Sequence, residues 1–250
     1  MDMTELAIIG GTGLTTLKNL DIIKREVVHT PFGEPSGPLT HGVLSGKEVV
    51  FLARHGYGHT IPPHKINYRA NIWALHHTGV KQVIAVAAVG GISDDLEPGS
   101  LVIPDQIVDY TSARDNTFFE DGLSHVTHVD FTQPYSEELR QLLIRGCQAA
   151  NLDFVDHGTY ATTQGPRLET AAEIDRLARD GCTVVGMTGM PEAALARELD
   201  LHYAAFAVVV NKAAGRGTGP ISMHDIELSV KQGMDKVRDV LEHVVPLLGT

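Results

Sequence analysis

The chain has 250 residues, 43 % hydrophobic and 20 % charged, the balance of a globular protein with a substantial core. Its formal net charge of −11 excludes a nucleic-acid partner held by a general basic surface, while a few local donors can still bind a small anion. The acidic start Met1-Asp2-Met3-Thr4-Glu5 lacks the features of a signal peptide, and no apolar run reaches the roughly 18–20 residues that span a bilayer. A cytoplasmic protein is expected. Cys147 and Cys182 match neither a disulfide framework nor a zinc spacing and read as buried thiols.

Short β-rich runs alternate with helical patterns, which predicts an α/β fold, and no linker divides residues 1–250 into separate domains. Leu6-Ala7-Ile8-Ile9 reads as a buried strand that enters the turn Gly10–Gly13. Lys47 to Leu52 reads as a second strand ending at Arg54-His55, and Asn67 to His77 as a helix. Gln82 to Val89 is almost wholly apolar, as expected of a strand covered on both faces, and it runs into Gly90-Gly91. Pro98-Gly99 marks a turn before a strand at Leu101 to Ile103. Residues 111–134 form a polar, irregular insertion long enough to be functional or to lie at an interface. Ser136 to Ala150, Ala171 to Arg179 and Glu192 to Glu198 read as helices, Tyr203 to Val210 as a last buried strand, and the stretch after Ser222 as a C-terminal helix.

Taken alone, each polar motif has more than one reading. Gly10-Gly11-Thr12-Gly13 after a strand is either a tight turn or an anion loop with free backbone N–H groups and a hydroxyl on Thr12. It is not the dinucleotide fingerprint, because from Gly11 the third glycine position is Thr16. Arg54-His55 sets a permanent cation and a second donor at a strand end. Histidines 55, 59 and 64 do not form a metal site, since glycines interrupt helical spacing and no carboxylate or thiol joins them. Met187 fits core packing, Glu169 a solvated first-turn carboxylate, and Asn211 the close of a strand.

Four segments together narrow these alternatives. Gly165-Pro166-Arg167-Leu168-Glu169-Thr170-Ala171-Ala172-Glu173, Val185 to Glu192, Ile9 to Leu14 and Ala53 to Gly56 resemble, in order, the trimeric purine nucleoside phosphorylase and methylthioadenosine phosphorylase family. The resemblance runs from about Glu5 to about His243 and implies a single-domain α/β fold with a central mixed sheet flanked by helices. It implies phosphate binding by Thr12, Arg54, His55 and Thr188, with the backbone at Ala87 and Ala88 facing phosphate and base. Ala87 replaces the Thr or Asn of relatives, so no side-chain hydrogen bond is expected there. Met187 is implied at the ribose, Glu169 and Asn211 at the purine, and Leu168 and Ala213 among the substrate-binding residues. Met223 and Ile226 are implied at the 5′ pocket; the bland reading makes them the inner face of the last helix, and a gap near Gly215–Pro220 leaves His224 as an alternative to Met223. His59 is implied to line the site, and His128 to reach a neighbouring subunit of a homotrimer.

The implied reaction is phosphorolysis of a purine nucleoside, with phosphate as cosubstrate, Asn211, Arg54 and His55 as its catalytic residues, and no metal or organic cofactor. The family members that prefer 6-oxopurines carry the Glu and Asn found here at 169 and 211. With an apolar 5′ pocket, the expected substrate is methylthioinosine. Methylthioadenosine or a broader range of nucleosides is the near alternative. A nicotinamide-dependent oxidoreductase and a non-catalytic binding protein are the distant ones.

Overall fold

The structure is a computed structural model that describes residues 5–121 and 125–248. The acidic N-terminal residues 1–4 and part of the expected insertion, residues 122–124, lie outside the described residues. The strands in chain order are β1 (Leu6–Gly10), β2 (Asp21–Glu26), β3 (Leu39–Leu44), β4 (Lys47–Ala53), β5 (Gln82–Gly91), β6 (Leu101–Val102), β7 (Gln106–Asp109), β8 (Phe154–Val155), β9 (Thr159–Thr162), β10 (Val184–Gly186) and β11 (His202–Lys212). The helices are α1 (Tyr68–His77), α2 (Glu137–Ala149), α3 (Ala171–Arg179), α4 (Glu192–Glu198) and α5 (Met223–Val244). Residues at the predicted helix starts turn out to be caps: the side chains of Asn67, Ser136, Thr170 and Ser222 each accept a backbone N–H of the first turn. At α3 the Glu173 side chain reaches back to Thr170 and completes a capping box.

One mixed sheet orders the strands β2-β3-β4-β1-β5-β10-β9-β7, with β11 on β5 and then β6 and β8. The period-2 alternation of strand side chains sorts the core into two layers. Ala7, Ile9, Val50 and Leu52 meet α1 and α4 on one face, while Leu6, Ile8, Val49 and Phe51 meet α2 and α5 on the other. A smaller cluster packs Ile174 and Leu177 of α3 against Ala161, Val185 and Ala213. Among the described residues, no helix is long and apolar enough to cross a membrane.

β5 shapes the middle of the sheet. One of its edges is paired along its whole length with parallel β11, from Gln82 to Gly91. Its other edge is shared. Parallel β1 pairs with Gln82 to Ala85, and antiparallel β10 pairs with Gly90 and Gly91. Residues 86–89 therefore have no sheet neighbour on that side. The loop leaving β1 and the chain leaving β10 both enter this opening, because the two strands run toward it from opposite ends. Residues 111–134, by contrast, contribute neither helix nor strand among their described members.

Candidate active site

The opening gathers the ends of parallel β1, β4, β5 and β11, the place where open α/β sheets bind ligands. The Arg54 amide donates to the Gly10 carbonyl at 3.0 Å, which fastens the end of β4 to the glycine loop. Gly11 has to be glycine: a Cβ there would lie 2.6 Å from the Val86 carbonyl oxygen and 3.1 Å from Arg54 Nη1. Thr12, the next residue, is half-buried at the mouth of the loop.

Arg54 is 1 % exposed and held on three sides. Its Nε and one terminal nitrogen donate to the two Glu192 oxygens at 2.6 and 2.7 Å, and Nη1 donates to the Val86 carbonyl at 2.9 Å. Burial works against its charge, but the Glu192 carboxylate more than offsets this and holds the guanidinium protonated. The wholly buried Glu192 also accepts from Tyr203 Oη at 2.8 Å. A guanidinium carries five N–H groups, so donors remain on the side facing Gly11 and the unpaired edge of β5.

His55 is buried, and its Nδ1 lies 2.9 Å from the Ile61 carbonyl. Burial and the adjacent Arg54 charge push it down to about 4, so at neutral pH the ring is uncharged. The carbonyl then fixes Nδ1 as the protonated nitrogen and leaves Nε2 with its lone pair. His59 sits in the left-handed region, φ 50°, with its ring 4.7 Å from that of His55. Among the described residues, no group of three His, Cys, Asp or Glu stands together as metal ligands would.

On the other bank, β10 leads into Met187 and the buried Thr188. Met187 packs against Gly165, whose φ of 59° and lack of a side chain admit the thioether. Thr163 bonds from its hydroxyl to Glu169 Oε1 at 2.6 Å, and its amide donates to the Gly186 carbonyl at 2.8 Å, so Glu169 is oriented from β9 and β10 rather than left in solvent. Asn211 follows a bulge in β11, where Val209 and Asn211 pair with consecutive β5 residues. Its amide nitrogen donates to the Lys212 carbonyl at 2.7 Å and stands beside Gly90. Ala213 is buried behind it. A cavity of about 530 Å³ is lined by Thr163, Gly165, Arg167, Glu169 and Arg176, while Thr12, Arg54, His55, Thr188 and Asn211 do not line it.

The sheet thus brings Thr12, Arg54, His55, Ala87, Ala88, Met187 and Thr188 toward one opening, with Asn211 beside Gly90 and Glu169 tied to the end of β9 through Thr163. Leu168, Met223 and His128 stand on the surface of the single chain, Leu168 and Met223 being 41 % and 63 % exposed. Met223 is therefore not part of the inner face of α5; it is the first residue of the helix, with His224 exposed beside it. Ile226 does pack partly against the core, as the bland reading has it. Three further participants went unnoticed in the sequence: Glu192, Thr163 and Arg114. The first two act on Arg54 and Glu169 from 138 and 6 residues away, and only the second spacing is local.

The sequence model of the Phosphorylase superfamily matches residues 5–246. The chain belongs to that superfamily. It is an enzyme of the family, and the relatives described next are similar over more than nine-tenths of their length. It is 56 % identical to a probable S-methyl-5′-thioinosine phosphorylase of Pseudomonas syringae pv. tomato, over 97 % of this chain and 99 % of the relative. It is 46 % identical to a 6-oxopurine nucleoside phosphorylase of Pyrococcus furiosus, over 98 % of this chain and 94 % of that one. Among solved structures, methylthioadenosine phosphorylase from Schistosoma mansoni in complex with adenine superposes with a TM-score of 0.94 at 32 % identity, covering 98 % of this chain and 92 % of the other.

Proposed function

We propose that the protein cleaves methylthioinosine with inorganic phosphate to give hypoxanthine and 5-methylthioribose 1-phosphate, a pentosyl transfer that needs no metal or organic cofactor. The observation that carries this reading is the Glu169 carboxylate oriented by the Thr163 hydroxyl, together with the Asn211 amide beside Gly90. Hypoxanthine offers an N1–H donor to the carboxylate, and its O6 or N7 accepts from the amide. Adenine presents the reverse pattern at N1 and N6 and would leave Glu169 facing a lone pair. An unpaired buried polar group costs about 1–3 kcal/mol, more when charged. The names of the Pseudomonas and Pyrococcus relatives support the same base class.

Phosphate is assigned to the unpaired edge of β5, between the Thr12 loop, Arg54, His55 and Thr188, beneath C1′ of the ribose that Met187 faces. Holding the dianion there supplies much of the rate. Asn211 stabilises the charge that develops on the departing purine, as an oxyanion donor does. Met223 and Ile226 are assigned to the 5′-methylthio group, with Leu168, Ala213 and His59 lining the site. We assign His128 to a neighbouring subunit of a homotrimer: it is exposed, between Val126 and Val129 that are 69 % and 38 % exposed. A cytoplasmic location fits this chemistry.

Phosphorolysis of methylthioinosine, methylthioadenosine, inosine and adenosine, run side by side, tests the reading. Methylthioinosine should have the highest specificity constant. Efficient cleavage of methylthioadenosine would overturn the hypoxanthine assignment and leave the phosphorylase assignment standing.

A further inference from the structure

Arg114 lies in the irregular stretch 111–134, outside every motif that carried the functional reading. Its guanidinium is turned inward. Nη1 donates to the carbonyls of Met187 at 2.9 Å and Met190 at 2.6 Å. Nη2 donates to the carbonyls of Gln164 at 2.9 Å and Thr163 at 3.3 Å, and Nε to the Gln164 side-chain oxygen at 3.2 Å. The plane also lies over the Tyr68 ring, 5.4 Å from its centre.

Nη1 also lies 3.3 Å from the Tyr68 hydroxyl, so the five N–H groups meet six oxygens, five of which belong to two different turns. One turn, Thr163 to Gly165, orients Glu169 through the Thr163 hydroxyl and seats Met187 against Gly165. The other, Met187 to Met190, carries Thr188 and leads into Glu192, which holds Arg54. Among the described residues Arg114 pairs with no carboxylate, unlike neighbouring Arg69, which takes both Asp115 and Glu120. A surface arginine placed for solubility or for an ion pair would not turn both terminal nitrogens onto the backbone carbonyls of two turns. A planar fork is the side chain suited to joining two sets of carbonyls at fixed spacing; an ammonium has three donors around a point.

We propose that Arg114 is a positioning residue that clasps the two turns together and so sets the spacing between the purine-reading carboxylate and the groups that hold ribose and phosphate. The assignment of those groups rests on the proposed function; the clasp itself does not. Each turn keeps its own strand, β9 or β10, when the clasp is removed, so each half of the site should still take its own fragment. Joined substrate is what suffers, because a misplacement of about 1 Å costs roughly 10²-fold in rate.

The test compares the parent protein with Arg114→Ala and Arg114→Lys. In Arg114→Ala the turnover number for methylthioinosine should fall by about 10²-fold. Equilibrium binding of free hypoxanthine and of inorganic phosphate should each change by less than about threefold, on the ordinary scale of a lost remote contact. Arg114→Lys should recover part of the loss, and added guanidinium ion should restore part of the Arg114→Ala activity. Amide hydrogen exchange should rise in Arg114→Ala at both turns, 163–165 and 187–190, and stay unchanged in α2 and α5. Full activity in Arg114→Lys, equal losses in fragment binding and turnover, or faster exchange at only one turn would each overturn the clasp. If the parent cleaves no nucleoside with phosphate, the functional reading fails, and the exchange comparison still decides the clasp. Should Arg114→Ala not fold, Arg114→Lys carries the same comparison.

Discussion

At the scale of single residues, the Arg54–Glu192 pair changes how the phosphate assignment has to be tested. Arg54→Ala alone would strand a buried carboxylate, at a cost of about 3–5 kcal/mol, and confuse misfolding with lost binding. The double change Arg54→Gln with Glu192→Gln removes both charges and keeps an acceptor for Tyr203. It should fold, and it should raise the phosphate KM or lower the rate with every nucleoside by the same factor, since nothing at the base has moved. Steady-state kinetics with two bases checks this; a loss confined to one base would remove Arg54 from the phosphate. His55 gives a second expectation. Its folded value of about 4 lies below its ordinary 6.5, so between these the unfolded chain binds a proton that the native chain refuses. The native state accordingly loses up to about 3 kcal/mol as pH falls from 6.5 toward 4, and none above that range. In His55→Gln that part of the slope should vanish, and bound phosphate, which favours the charged ring, should shrink it in the parent. Denaturant titrations across pH 4–7 that show identical slopes would remove His55 from the buried, neutral state. For base choice, Asn211→Asp should lower activity on 6-oxopurines and raise it on 6-aminopurines, where a protonated Asp donates to N7. Adding Glu169→Ser should extend the rescue, with strong coupling because both residues contact one ring. An unmoved ratio of the two specificity constants would sink the pair as the base reader.

At the scale of elements, legibility followed periodicity and length. α3 and α4 were read with their observed bounds, because apolar positions at helical spacing begin beside a Thr cap or a Pro. β5 and β11 were read as buried strands but cut short, since Gly90-Gly91 and Asn211-Lys212 look like exits until the pairing is known. The strand read at Leu101 to Ile103 exceeds the observed Leu101–Val102 by one residue. β2 went unread because Asp21–Glu26 is exposed at nearly every position and owes its conformation to pairing with β3 rather than to its own pattern. β8 and β10 have two and three residues, too few to show a period of two. The site was legible where a motif is local, as in Gly10–Gly13 or Arg54-His55. It was illegible where a side chain acts across the fold: Glu192 reads as a helix first-turn carboxylate, and only the sheet brings it to Arg54. The start of α5 belongs to this scale too. Met223 stands there exposed, where the proposed reading sets it at the 5′ group. Met223→His should shift preference from the 5′-methylthio substrate toward inosine by tens- to a few hundred-fold, the worth of one apolar contact. Competition between the two nucleosides reads the shift, and an unchanged ratio would direct attention to Ile226 or His224.

For the whole molecule, the proposed role of His128, in the exposed run Val126 to Val129, requires a neighbouring subunit. A homotrimer is expected, and light scattering of the active enzyme checks it; full activity in a monomer would refute the assignment of His128 to an adjacent subunit. The unpaired edge of β5 has a mechanical side as well. β1 brings β4, β3 and β2 to the sheet, β10 brings β9 and β7, and neither group is paired to the other except through β5. The sheet is in effect two plates riveted to a single rail, with a slot where the rail is bare. On the proposed phosphate assignment, an anion lodged in that slot would touch Thr12 and Arg54 on one plate and Thr188 on the other. The cosubstrate would then also be a strut, and slower amide exchange in β1, β4 and β10 on adding inorganic phosphate is the expected sign of it.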